Sequence, residues 1–98
     1  MIRLLLSALF ILSASTTVAD EFTCRANNEV RTVSVDYEHK GWEVPCRVKY
    51  EKPSEGTVSY PWSAEATAGY CESKAEFLVG KLQNWGWVCT QEEPDESR

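Results

Sequence analysis

The sequence has few of the residues that common catalytic and metal sites require. It contains a single histidine, His39, which lies in a turn-like segment between charged neighbours, so a Ser-His-Asp triad has no suitable base. It contains no C-x-x-C pair, which argues against a thioredoxin-like redox site and against a structural zinc site. The sequence therefore predicts no enzyme of these classes, no metal and no cofactor.

Long hydrophobic runs are missing beyond the first residues. The apolar run at positions 4–12 is too short to span a membrane, which takes about 20 apolar residues. It follows Arg3 and precedes the small residues at 17–19, the arrangement of a secretion signal. We predict a signal peptide at residues 1–19 and an exported mature protein, periplasmic or extracellular, without a membrane span.

Basic residues are in the minority. Removing Arg3 from the ten basic residues leaves nine against 15 acidic ones, a net charge of −6 for the mature chain. This charge argues against a nucleic-acid partner. An acidic surface is common in soluble exported proteins, and it would also suit a cationic protein partner.

Four cysteines are spread almost evenly along the 79 residues that follow the predicted signal peptide. A chain of this length forms one small domain. An even number of cysteines in a short exported chain predicts disulfides, and two of them would stabilise a core this small. The four cysteines are Cys24, Cys46, Cys71 and Cys89.

Apolar and polar residues alternate in the first half of the chain, which is typical of half-buried strands. The alternating segments lie at 30–37, 44–51 and 57–62, with turn residues between them. In the third segment, three apolar residues are predicted to share one face: Val58, Tyr60 and Trp62. The pattern predicts three antiparallel strands.

The apolar period changes to that of a helix from Ala68 to Trp85. Thr67 is the predicted N-cap, and Gly86 is predicted to end the helix. One stripe of the helix is predicted to cover the sheet, and Glu72 and Glu76 are predicted to face solvent. The stripe consists of Cys71, Ala75, Leu78, Leu82 and Trp85, with Val79 at its border.

The segment after the helix is short. Residues 87–89 are predicted to form a terminal strand, and residues 91–98, rich in acids, a disordered tail. The predicted fold is therefore α+β, in the order β-β-β-α-β, with one helix covering three strands plus a short C-terminal strand. The predicted domain covers residues 20–90.

Three disulfide pairings are open to four cysteines. Cys46 lies on the inward face of a predicted strand and Cys71 on the inward stripe of the helix, so the pattern favours joining these two. Cys24 and Cys89 would then connect the ends of the mature chain. The competing scheme joins Cys71 to Cys89 and Cys24 to Cys46.

Two aromatic residues of the predicted helix lie away from its core stripe. Tyr70 and Phe77 follow one line, with Lys74 and Lys81 beside them. A phenylalanine at such a position needs a cover, supplied by a loop, the acidic tail, the lysine stems, a partner protein or a second copy of the chain. The predicted interaction face consists of Tyr70, Ser73, Lys74, Phe77, Gly80 and Lys81.

The sequence has four tryptophans, a high number for so small a domain. Trp62 and Trp85 are predicted to be core residues from their inward faces. Trp42 and Trp87 have no assigned facing. Tryptophans on a surface would suit binding of a sugar ring, whereas burial in the core is the more common role.

Some segments resemble known proteins. The segments V-P-C-R-V-K-Y, G-Y-C-E-S-K-A and W-G-W-V-C resemble small uncharacterised exported bacterial proteins with four cysteines and a late helix. This resemblance implies no activity. A weaker similarity, on the valine-rich segment 24–37, is to periplasmic lysozyme inhibitors.

The leading functional hypothesis is a non-enzymatic exported binding or envelope-associated protein, whose partner is a protein or a second copy of this chain. An alternative is an inhibitor of a cationic wall-degrading enzyme of the lysozyme type, suggested by the acidic mature charge. A third is a small glycan hydrolase, because such hydrolysis needs only two carboxyl groups. Its candidate acids are Glu43, Glu51 and Glu72, and the conceivable pairs are Glu43 with Glu51 and Glu72 with Glu76, which is one turn from Glu72.

Overall fold

The computed structural model describes residues 21–92, which form a five-stranded antiparallel sheet and one helix. The strand order across the sheet is β4-β3-β2-β1-β5, so β4 and β5 are the edge strands. The helix packs on one face of the sheet, the helix face, and we name the other the open face. The elements are β1 (Glu21–Ala26), β2 (Glu29–Tyr37), β3 (Cys46–Lys52), β4 (Thr57–Ala64), α1 (Tyr70–Asn84) and β5 (Val88–Glu92).

The prediction of an α+β fold with one helix on an antiparallel sheet is confirmed, but the prediction of three strands plus one is wrong. The missed strand is β1, which lies between β2 and β5 and pairs with both. Its polar residue Thr23 is buried, because it lies across from Thr32 on one side and Thr90 on the other. Pairing on both sides therefore forms this strand with only three apolar residues, Phe22, Cys24 and Ala26.

The last strand is longer than the sequence suggested. Gln91 and Glu92 were predicted to begin the tail, yet both lie in β5. The hydroxyl of Thr23 donates a hydrogen bond of 3.1 Å to Oε2 of Glu92, which holds this end of β5 on β1. The predicted signal peptide and tail residues 93–98 lie outside the described residues.

One disulfide and a small apolar core join the helix to the sheet, and a second disulfide joins two neighbouring strands. The disulfides are Cys46–Cys71, between β3 and α1, and Cys24–Cys89, between β1 and β5. This is the pairing that the sequence favoured. The other buried core residues come from β2, β3 and the predicted helix stripe: Val33, Val35, Val48, Ala75, Leu78, Val79 and Leu82.

A β-bulge in β4 changes which residues share a face. Val48 lies opposite Trp62, but Tyr50 lies opposite Ser59, so β4 has one more residue than β3 between these pairs. Trp62 therefore stays on the helix face, whereas Val58, opposite Glu51, lies on the open face. The prediction that Val58 and Tyr60 share the face of Trp62 is wrong.

Proline explains the position of this bulge. Pro61 lies inside it and has no backbone N–H to donate to a neighbouring strand, so an edge strand with a local irregularity is where a sheet tolerates it. Tyr60 turns to the open face, where the guanidinium carbon of Arg47 lies 3.8 Å from its ring centroid.

The helix ends differ from the prediction. The N-cap is Gly69 with φ 85°, not Thr67, whose backbone carbonyl accepts a hydrogen bond from the amide of Tyr70. At the C-terminus, Gly86 has φ 102°, and its amide donates to the carbonyl of Gln83, while that of Trp87 donates to Leu82. These two bonds form a Schellman motif, which satisfies carbonyls of the last turn.

Trp85 is not a core residue, contrary to the sequence prediction. It is the C-cap, with φ −89° and ψ 3°, and it is 64% exposed. The stripe that the sequence extended to Trp85 ends at Leu82, because the chain leaves the helix before the next inward position.

The cation of Arg31 lies on the helix face, where an apolar residue would be expected. Its Nη1 donates a hydrogen bond of 2.9 Å to the hydroxyl of Tyr50, and its guanidinium carbon lies 4.5 Å from the ring centroid of Trp87. Glu55 lies 3.7 Å from Nη2. These three side chains replace the water that a charged group would otherwise require.

Two glycines of the helix region should respond to alanine in opposite directions. Gly86→Ala should lower the free energy of unfolding by about 1 kcal/mol, because a Cβ is strained at a positive φ. Gly80→Ala should raise it by roughly 0.5–1 kcal/mol, because Gly80 is helical and a Cβ there meets no atom within 4 Å. Urea denaturation of the two variants measures both changes. Destabilisation by Gly80→Ala would contradict the open space at this position.

Candidate interaction surface

Three aromatic side chains surround Lys74 on the side of the helix that lies over edge strand β4. Trp62 comes from β4 and Tyr70 and Phe77 come from α1. The ring centroids of Trp62 and Phe77 are 6.1 Å apart with an interplanar angle of 79°, an edge-to-face contact. Phe77 is nevertheless 52% exposed.

Two lysines lie over these rings. The Nζ atom of Lys74 is 5.6 Å from the centroids of Trp62 and Tyr70 and 5.4 Å from that of Phe77. The Nζ atom of Lys81 is 5.3 Å from the centroid of Phe77. These distances suit cation–π attraction, so the rings and the ammonium groups form one continuous patch. We name Trp62, Tyr70, Lys74, Phe77 and Lys81 the aromatic–lysine cluster.

The charge of this cluster is not neutralised within the described residues. The ion pairs among residues 21–92 join other groups, and neither Lys74 nor Lys81 has a carboxylate oxygen within 4.0 Å. The protein as a whole is acidic. The cluster is therefore a cationic and aromatic patch on a protein of negative net charge.

Strand β4 continues this patch to the edge of the sheet. Its residues from Thr57 to Pro61 are exposed, and Trp62 is half-buried. Val58 and Tyr60 place apolar surface on the open face, whereas the cluster lies on the helix face. The β4 edge thus has exposed apolar side chains on both faces of the sheet.

Four of the six residues of the predicted interaction face belong to the cluster. Of the other two, Ser73 is an exposed residue of the first helical turns, and Gly80 offers open space where a side chain would lie. Sequence reasoning missed Trp62, which it assigned to the core. Trp62 packs against the core with part of its ring and against Phe77 with another, and no period of the sequence distinguishes such a shared position.

The other tryptophans have separate surroundings. Trp42, in the β2–β3 connection, is 61% exposed, and its ring centroid lies 4.6 Å from that of His39. Trp85 is exposed after the helix, and Trp87 packs on Arg31. Within residues 21–92, no two tryptophan rings contact each other.

The candidate acids for hydrolysis lie in different surroundings. Glu51 lies on the open face, where it accepts a hydrogen bond of 3.0 Å from the hydroxyl of Thr32. Glu72 lies on the helix side, where Oε2 accepts a bond of 2.6 Å from the hydroxyl of Tyr37. Glu72 is therefore half-buried and not turned to solvent as predicted, and its Oε1 is buried without a hydrogen-bond partner. Glu43 and Glu76 are exposed.

An open depression lies near the β2–β3 connection, where β2 and β4 end and β3 begins. Its volume is about 640 Å³, and its charged lining includes Asp36 and Arg47, whose side chains approach within 3.8 Å. Within residues 21–92, no three His, Cys, Asp or Glu side chains come together as metal ligands. In the same range, no helix is long and apolar enough to cross a membrane.

These features define a small disulfide-stabilised α+β domain with an exposed aromatic–lysine cluster at one sheet edge. Comparison with protein-family models, curated proteins and solved structures finds no match to this chain. Function is therefore inferred from the aromatic–lysine cluster.

Proposed function

We propose that this protein is a non-enzymatic exported binding domain and that the aromatic–lysine cluster is its binding surface. The observation that carries the proposal is the exposure of Phe77, half open to water in an edge-to-face contact with Trp62. Export is supported by the signal-like residues 1–19 and by the two disulfides, which persist in oxidising compartments.

The composition of the cluster supports a binding role. Aromatic residues that combine an apolar ring with a rigid side chain are enriched at the centres of protein interfaces. The lysine stems of Lys74 and Lys81 cover part of Phe77, but half of this side chain still faces water. Burial of Phe77 by a partner would remove that apolar area from water, which favours association.

Inhibition of a cationic wall-degrading enzyme is supported by the mature charge alone. The aromatic–lysine cluster is itself cationic, so it would repel an enzyme of that kind. A small glycan hydrolase would need two carboxyl groups across a cleft. Glu43 precedes β3 and Glu51 lies near its other end, Glu72 and Glu76 are one turn apart on α1, and neither pair lines the open depression. We therefore favour a binding domain that recognises an anionic partner.

Phe77→Ser should abolish partner binding while leaving the domain folded. Truncation of an exposed central aromatic typically weakens an interface by 2 kcal/mol or more, which is about thirtyfold. The melting temperature should change by less than about 4 °C, because surface substitutions usually change stability by within 0.5 kcal/mol. The measurement is capture of envelope proteins by the oxidised mature protein, followed by titration of the captured protein.

Trp85→Ser is the matched control, because Trp85 is also an exposed aromatic residue next to the same helix. It should retain the proteins that the wild type captures. Equal capture by Phe77→Ser and the wild type would contradict the proposal, and unfolding of Phe77→Ser would show that Phe77 is a core residue.

A further inference from the structure

Resting on the proposed function, we propose that the partner is an extended acidic segment of another protein, which pairs with β4 as a sixth strand. The supporting observation is an uncharged edge strand beside two lysines, Lys74 and Lys81, that have no carboxylate partner within residues 21–92. Peptides that add a strand to an exposed sheet edge obtain affinity from main-chain hydrogen bonds and specificity from alternate side chains.

Before its bulge at Pro61, the β4 edge lacks the features that normally prevent strand addition, which include proline and bulges as well as charge and short length. Edge strands are usually short, charged or covered, because their free N–H and C=O groups recruit other strands. β4 has eight residues, none charged, and the segment Thr57–Pro61 is exposed. The bulge at Pro61 limits pairing to the part of β4 before it. The opposite edge strand, β5, has five residues and ends at the charged Glu92.

Apolar side chains flank the β4 edge on both faces of the sheet. Val58 and Tyr60 are exposed on the open face, and Trp62 and Phe77 lie on the helix face. A strand added beside β4 would have side chains pointing alternately to these two faces. Each of its faces would then contact apolar or aromatic groups of this protein, which stabilises cross-strand pairs.

The charges of Lys74 and Lys81 determine which side chains the added segment should have. Its side chains on the helix face would approach Lys74 and Lys81, whose ammonium groups have no carboxylate within 4.0 Å among the described residues. Carboxylates at alternate positions of the segment would pair with both lysines. An anionic lipid or glycan would satisfy the lysines but could not pair in register with the free backbone of β4.

A second copy of this chain fits the same edge less well. Two β4 strands paired antiparallel would be related by a two-fold axis, which places the two helices side by side. Lys74 and Lys81 of both copies would then lie near each other, and like charges across such an interface are unfavourable.

A selection from a random peptide library tests the proposal. The target is the oxidised mature protein, and the probe is a displayed library of random twelve-residue peptides. We expect enriched peptides with Asp or Glu at alternate positions and few prolines. Amide hydrogen exchange of the complex should slow in the Thr57–Tyr60 segment and remain unchanged in β5.

Variants that introduce a negative charge identify the groups that bind the selected peptide. Val58→Glu should weaken it about tenfold, since it replaces an apolar contact with the added strand on the open face by a carboxylate that would lose its water there. Lys74→Glu with Lys81→Glu should weaken it by at least about tenfold, because two attractive pairs become repulsive. Val88→Glu, at an exposed valine of the β5 edge, is the control and should bind as the wild type does.

Several outcomes would overturn the inference. They are selection of no peptide, selection of neutral or basic peptides, protection of β5 in place of β4, and a dimer in light scattering that Val58→Glu converts to monomer. Loss of envelope capture in Phe77→Ser together with normal capture by Val58→Glu would reject strand addition and leave the proposed function standing. Normal capture by both variants would reject the proposed function as well.

Discussion

Reduction of both disulfides should unfold the protein at 25 °C. The disulfides close chain segments of 65 and 25 residues, for which the loop-entropy relation gives about 4 and about 3.5 kcal/mol of stabilisation. Together they are comparable with the whole stability expected of the predicted mature chain of 79 residues, about 4–12 kcal/mol. Near-UV circular dichroism before and after addition of a thiol reductant measures the loss of packed aromatic residues.

Double alanine variants measure the contribution of each disulfide to stability separately. Cys24→Ala with Cys89→Ala should cost about 4 kcal/mol, and Cys46→Ala with Cys71→Ala about 3.5 kcal/mol, in urea denaturation of otherwise oxidised protein. Each variant should therefore remain folded with a much lower midpoint, whereas the fully reduced protein should not fold. Cooperative unfolding of the reduced protein near the oxidised midpoint would show that the core alone is sufficient.

The parts of the fold that the sequence predicted are those in which burial follows a simple period. The helix stripe from Cys71 to Leu82 is buried as expected, because one regular element packs on one flat surface. The same stripe and the alternation around Cys46 favoured the pairing of Cys46 with Cys71. A periodic pattern is reliable where both partners of a contact are regular.

The errors arise where backbone geometry interrupts a period. The bulge at Pro61 moves Val58 and Tyr60 to the open face, although their spacing from Trp62 is that of a regular strand. Strand β1 was missed because pairing with two neighbours, and not an apolar pattern, buries Thr23. Neither effect is visible in a single segment, since each depends on a neighbouring strand.

Only the residues of the candidate site that lie on the helix could be predicted from the sequence. Tyr70 and Phe77 could be recognised as aromatic residues away from the core stripe, and the lysines between them follow from helical spacing. Trp62 and the uncharged β4 edge join them only because the fold places α1 over that side of the sheet. The proposal of an acidic partner depends on the lack of a carboxylate near Lys74 and Lys81 among residues 21–92, which only the three-dimensional structure shows.

Leu82→Ala should be among the most destabilising single substitutions in this domain. Leu82 is a fully buried side chain of the core, and its carbonyl also accepts hydrogen bonds that end the helix. Loss of such a leucine creates a cavity and typically costs 2–5 kcal/mol, which for a domain of this size lowers the melting temperature by about 10 °C or more. Thermal unfolding followed by circular dichroism measures this change.

Trp85→Ala tests whether the helix ends at Asn84 or continues as its apolar pattern predicts. A helix that continued past Asn84 would bury Trp85 on the same stripe as Leu82, and its truncation would then cost about 3–5 kcal/mol. With the Schellman motif at Gly86 the side chain is 64% exposed, and we expect a cost below about 0.5 kcal/mol. Similar losses of stability for Leu82→Ala and Trp85→Ala would mean that the helix continues past Asn84. A large loss for Leu82→Ala alone means that the helix ends before Gly86.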